Sequence, residues 1–145
     1  MTLVFALLTF PPTPLPPIPP RLQTIPERVV SIAMEIGVPP ALATQLASVE
    51  SGMDPGARHK DRNGTSWGVM QLSDRYWGHM YCFHERWEDP CTAEAVIPLN
   101  IRAGLTYLRK QLDKCAKDRR FRHQIAIGHD FDWGCAVARY RGKQH

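Results

Sequence analysis

Apolar positions recur at helical spacing through most of the chain, and glycine and proline mark where each run stops. Thr24-Ile25-Pro26-Glu27 has the spacing of a capping box, with Pro26 in the first turn, where its missing N–H costs little. Val29, Val30, Ile32, Ala33 and Ile36 then follow a 3.6-residue period, and Gly37 stops the run. Pro39 and Pro40 open a second helix. Its apolar positions Leu42, Leu46 and Val49 carry it to Glu50, and Gly52 and Pro55 end it. From Asp54 to Ser66 the chain is polar and turn-rich, which predicts a loop with at most a small hairpin around residues 57–68. A short helix is expected near Ser73, carrying Tyr76, Trp77 and Met80, and residues 81–98 read as irregular. Asn100 to Lys117 is the clearest amphipathic helix, with Ile101, Leu105, Leu108 and Leu112 on one side. His123 to His129 fits helix or loop, and Asp132 is placed to cap a last helix, Trp133 to Tyr140. Period-two alternation is nearly absent, so the fold class is mainly α.

Composition adds a boundary. Seven of the 13 prolines lie between Pro11 and Pro20, and residues 1–20 carry no charged side chain. The folded domain is therefore expected over residues 21–145, behind a leader of residues 1–20. Met1 to Phe10 is apolar but only ten residues long, too short to span a bilayer as a helix. It lacks the basic start and small-residue cleavage site of a secretory signal. It reads as a hydrophobic tether on a polyproline-II-prone linker, as a degenerate export signal or as a disordered tail. A chain of 145 residues excludes a two-domain enzyme, and no heptad run supports a coiled coil.

The formal charge is +4, with a pI near 9.0, which favours a polyanionic partner without choosing one. The densest basic stretch, Arg109 to Arg122, reads as a solvated helix face running into a loop. No nucleic-acid partner is expected, because neither a recognition-helix turn nor paired zinc ligands can be placed. Four cysteines form an even set. The pairings Cys82 with Cys91 and Cys115 with Cys135 are favoured because each closes a local loop. A zinc site built on Cys82, His84 and Cys91 is the rival, and the lack of a C-x-x-C pair counts against it. Free buried thiols are the third option. No cofactor or metal is called for, since there is no Gly-rich phosphate loop, H-E-x-x-H or nucleophile elbow.

The candidate chemistry sits in Val49-Glu50-Ser51-Gly52-Met53-Asp54-Pro55-Gly56-Ala57 and in Gly64-Thr65-Ser66-Trp67-Gly68-Val69-Met70-Gln71-Leu72. Glu50 ends an apolar helix. The negative end of the helix dipole and apolar surroundings both favour a neutral carboxyl there, as a general acid requires. Helix pattern alone favours the simpler reading, in which Glu50 ends a solvated helix.

These two segments resemble the signature of soluble lytic transglycosylases and the related goose-type lysozymes. Asn100-Ile101-Arg102-Ala103-Gly104-Leu105-Thr106-Tyr107-Leu108 is similar to that family's N-I-x-x-G-x-x-Y-L helix. Ala136-Val137-Ala138-Arg139-Tyr140-Arg141-Gly142 is similar to its A-x-x-x-Y-N-x-G segment. The resemblance, in order over residues 42–142, implies a lysozyme-like, mainly helical fold with a glycan-binding cleft. It also implies cleavage of the β-1,4 bond between N-acetylmuramic acid and N-acetylglucosamine in peptidoglycan. Glu50 would be general acid and then base, closing a 1,6-anhydro ring on the muramoyl sugar. Ser51 would orient Glu50 or contact the sugar. Gly68, Met70 and Gln71 would form the cleft floor, and Tyr140 would bring its hydroxyl near Glu50. Two departures stand out. Arg141 occupies the position where the family carries asparagine. Asp61 lies where goose-type lysozymes have an aspartate, which makes it a possible second carboxylate for plain hydrolysis, although a turn-capping role is its simpler reading. A non-catalytic glycan-binding or assembly protein of the same fold is the further alternative. The expected setting is extracytoplasmic, at the cell wall, or virion-associated, with residues 1–20 joining a phage virion or secretion apparatus.

Overall fold

The computed structural model describes residues 23–62, 64–77, 94–118 and 131–144. Helix α1 spans Ile25–Ile36, α2 Pro40–Ser51, α3 Asp74–Trp77, α4 Ile97–Lys117 and α5 Phe131–Gln144. Strands β1 (Arg58–Asp61), β2 (Gly64–Trp67) and β3 (Leu72–Ser73) form one antiparallel sheet in that order. The protein is mainly helical with a small sheet, as the pattern predicts. The sheet has one strand more than the expected hairpin, because Leu72 and Ser73 return to pair with Trp67 and Ser66.

The capping box of α1 closes as predicted. The Glu27 carboxylate accepts the Thr24 N–H at 2.7 Å, and the Thr24 hydroxyl accepts the Glu27 N–H at 3.4 Å. Gly37 ends α1 at φ +78°, a left-handed conformation that suits glycine. Val29, Ile32 and Ala33 face the core, and so does Arg28, whose guanidinium bonds the Gln23 carbonyl and pairs with Glu94.

Helix α2 differs from expectation in which face is buried. Ala43, Leu46 and Ala47 are inside, whereas Val49 is 64% exposed. The inner stripe is 43, 46, 47 and therefore 50, one helical step round from the stripe that Leu42 and Val49 define. Helix α4 begins at Ile97, three residues before the expected start at Asn100, with a proline in its first turn. Its buried positions Ile97, Ile101, Gly104, Leu108, Gln111 and Cys115 form one seam, which packs on α1 and on α5. Asp132 lies inside α5 and does not cap it, and α5 runs on past Tyr140.

The Cys115–Cys135 disulfide joins the end of α4 to α5, as favoured from the sequence. Asp118 and Arg139 add an ion pair at 3.5 Å beside it. The Cys82–Cys91 pairing, the rival zinc ligands, Met80, the leader and residues 123–129 lie outside the described residues. Among the described residues no helix is long and apolar enough to cross a membrane, and no cluster of potential metal ligands occurs.

Candidate functional site

Three helices meet on the turn Trp67-Gly68-Val69-Met70-Gln71. All four carbonyls from Trp67 to Met70 accept a hydrogen bond. The Asn100 amide donates to Trp67 O at 3.1 Å from α4. The Gln71 amide donates to Gly68 O at 3.0 Å. The Ser51 hydroxyl reaches Val69 O at 2.8 Å from the end of α2, and the Tyr140 hydroxyl donates to Met70 O at 2.7 Å from α5. Asn100 also accepts the Met70 N–H at 2.9 Å, so one side-chain amide clamps the turn at both ends. Such a turn, buried away from water, would otherwise leave backbone polar groups unmade.

The turn needs unusual backbone, and the sequence supplies it. Gly68 has φ +74°, and a Cβ there would come within 2.7 Å of the Asn100 amide nitrogen. Gln71 also takes positive φ, +46°, held by its own amide bonds to Gly68 O and Ala57 O. On α4, a Cβ at Gly104 would lie 2.5 Å from Met70 Cβ and 3.0 Å from the Tyr140 hydroxyl. The glycine lets the turn and α5 seat directly on the α4 backbone.

The contacts of these residues within the protein are as follows. Met70 and Tyr140 are fully buried, with no surface for a sugar in this state, and both belong to the core. Ser51 fastens α2 to the turn, and Gly68 makes room for an amide of the protein itself. Gln71 is buried, with its amide N–H groups spent on two carbonyls. These five residues build the frame that holds Glu50 and Arg141.

Glu50 precedes Ser51 on α2, and Arg141 follows Tyr140 on α5. Fixing Ser51 and Tyr140 to adjacent carbonyls sets their neighbours side by side. Arg141 Nε lies 3.3 Å from Glu50 Oε1. The Glu50 side chain is only 6% exposed, against 50% for Arg141. This overturns the solvated-end alternative for Glu50, in line with its place on the inner stripe of α2. Burial favours the neutral carboxyl, and the guanidinium favours the carboxylate. Val49, the exposed apolar residue, sits next to Glu50 on the outer face of α2.

Asp61 is the last residue of β1, paired with Gly64. It lies three residues along the strand from Arg58, roughly 10 Å, at the opposite end of the hairpin from the Trp67–Gln71 turn. Arg58 itself stacks over the Trp67 ring at 4.5 Å from its centre. A separate cavity of about 560 Å³ opens between α1 and the start of α4, lined in part by Gln23, Ser31 and Pro98. Its arginines, Arg28 and Arg102, are each paired with a glutamate, and Glu50 does not line it.

Sequence reasoning missed two working residues. Asn100 was part of a matching motif with no role of its own; the signal was an amide on the apolar seam of α4, where a polar group must have a partner. Arg141 was seen only as a departure.

A family model described as Transglycosylase SLT domain matches residues 30–142. No curated protein and no solved structure matches the chain.

Proposed function

The chain belongs to the transglycosylase SLT family, and on that premise we propose that it is a lytic transglycosylase with Glu50 as its proton donor. Domains of this family act on peptidoglycan, which places the work outside the cytoplasm. The proposed reaction cuts the β-1,4 bond between N-acetylmuramic acid and N-acetylglucosamine. Glu50 gives its proton to the glycosidic oxygen as an oxocarbenium-like centre develops at C1. The resulting carboxylate then takes the proton of the muramoyl C6 hydroxyl, whose oxygen attacks C1 and closes the 1,6-anhydro ring. The nucleophile belongs to the same sugar, so no water has to be positioned and one carboxylate suffices.

The observation that carries this reading is the burial of Glu50 at the end of α2, on a frame made by the motif residues themselves. Glu50→Gln keeps the size and removes the proton. It is expected to lower clearing of purified cell wall by about 10²–10⁴-fold with an unchanged thermal unfolding curve. Clearing at the wild-type rate in this variant would refute the assignment. Mass spectrometry of the products separates two chemistries: anhydro-muramoyl ends support the transglycosylase, and reducing ends support plain hydrolysis.

A second reading, a glycan-binding protein without turnover, is favoured by one feature, the arginine paired with the proposed acid. It predicts wall binding without any clearing at any pH. The apolar, proline-rich residues 1–20 suit attachment to a virion or a secretion assembly that brings the domain to the wall.

A further inference from the structure

We infer that Arg141 is a positioning residue that controls the proton on Glu50 by favouring the ionised carboxyl. The inference rests on the reading of Glu50 as proton donor. An arginine is charged at every working pH and has no proton to give. Its Nε stands 3.3 Å from Oε1 of a carboxyl that is almost wholly buried. At that distance an opposite charge stabilises the ionised form, and water does little to screen it where one partner is inside.

Among the described residues, the neighbouring groups make the following contacts. On α5, Tyr140 spends its hydroxyl proton on Met70 O, and Arg139 pairs with Asp118. On α2, the Ser51 hydroxyl is directed to Val69 O. The turn Trp67–Gln71 contains no ionisable side chain. From α4 it receives the neutral amide of Asn100. After α2, the Asp54 carboxylate accepts the Gly56 N–H. On β1, Arg58 lies on the Trp67 ring, His59 and Lys60 are exposed, and Asp61 stands at the far end.

The two halves of the reaction feel Arg141 in opposite directions. Protonation of the glycosidic oxygen needs the neutral acid, which the ion pair disfavours. Removal of the C6 proton needs the carboxylate, which the pair stabilises. Loading the acid is the first step from free enzyme, so the penalty falls on kcat/KM. The activity is lost as pH rises through the titration of Glu50, and Arg141 moves that loss to lower pH.

The test compares wild type, R141Q, R141N and R141K, with kcat/KM for clearing of purified wall measured across pH. Removing the charge is expected to move the alkaline limb up by about one pH unit, and R141K is expected to keep it near the wild-type position. Limbs that coincide, with the rate lowered by one factor at every pH, would show a sugar contact or a packing role and overturn the inference. A second readout needs no turnover. Carbon-13 NMR of labelled glutamate, with the Glu50 signal identified by its loss in E50Q, reads the carboxyl directly. Its midpoint is expected to rise in R141Q and R141N, and an unmoved midpoint overturns the inference. Should the wild type clear no wall at any pH while the midpoint still moves, the proposed activity fails and the control of Glu50 by Arg141 stands.

Discussion

At the residue scale, the site is held by small groups in places where nothing larger fits. Gly104 makes the sharpest case, because two effects oppose each other there. Alanine is a better helix former than glycine by about 1 kcal/mol, which argues for Gly104→Ala as a stabilising change. Against it, the new Cβ would sit 2.5 Å from Met70 Cβ, a buried atom next to backbone that four hydrogen-bonded carbonyls hold in place. Overpacking of that kind costs about 1–3 kcal/mol, so the second effect wins. Gly104→Ala is expected to lower the urea midpoint and to slow wall clearing, since Met70 and Tyr140 must shift. A variant as stable and as active as wild type would show that the turn is soft. Much of this scale was legible once burial was assigned. Ala43, Leu46 and Ala47 form a stripe whose next member is Glu50, a stronger hint than the Leu42–Leu46–Val49 run. What no spacing reveals is that Ser51, Gln71 and Tyr140 spend their polar groups on one turn. Those bonds link residues from 3 to 70 positions apart, and only the packing of α2, α4 and α5 brings most of them together.

At the element scale, α5 carries half of the site, and its attachment to α4 determines whether Arg141 reaches Glu50. The disulfide spans a sequence separation of 20, for which loop closure in the unfolded chain gives about 3 kcal/mol of stabilisation. Replacing both cysteines, Cys115→Ala with Cys135→Ala, is expected to cost about that much in urea unfolding. Clearing activity should also fail at a lower temperature than in wild type. Equal midpoints would mean that the Leu105, Leu108, Ala136 and Tyr140 packing alone secures α5. The pairing itself was readable from loop length. The extent of α5 was not, because Asp132 looked like a cap and the helix starts before it. Strand β3 was also hidden, since two residues cannot show an alternating pattern; the turn at Gly68–Gln71 sends them back along β2.

For the whole molecule, the charge of +4 acts at longer range than the ion pair in the site, and salt separates the two. Peptidoglycan offers anionic groups, so a net positive protein is drawn to it by a field that screening weakens. The Debye length falls from about 30 Å at 0.01 M to about 8 Å at 0.15 M ionic strength. Binding of the E50Q protein to purified wall, measured without turnover, is expected to weaken several-fold over that range. The Arg141–Glu50 contact is 3.3 Å long, with one partner buried, so the same salt leaves it almost untouched. The shift of the alkaline limb in R141Q should therefore persist at 0.15 M, while R141Q changes the net charge by one unit and weakens wall binding only slightly. A pH shift that vanishes with salt would instead assign the effect of Arg141 to the general field of the protein.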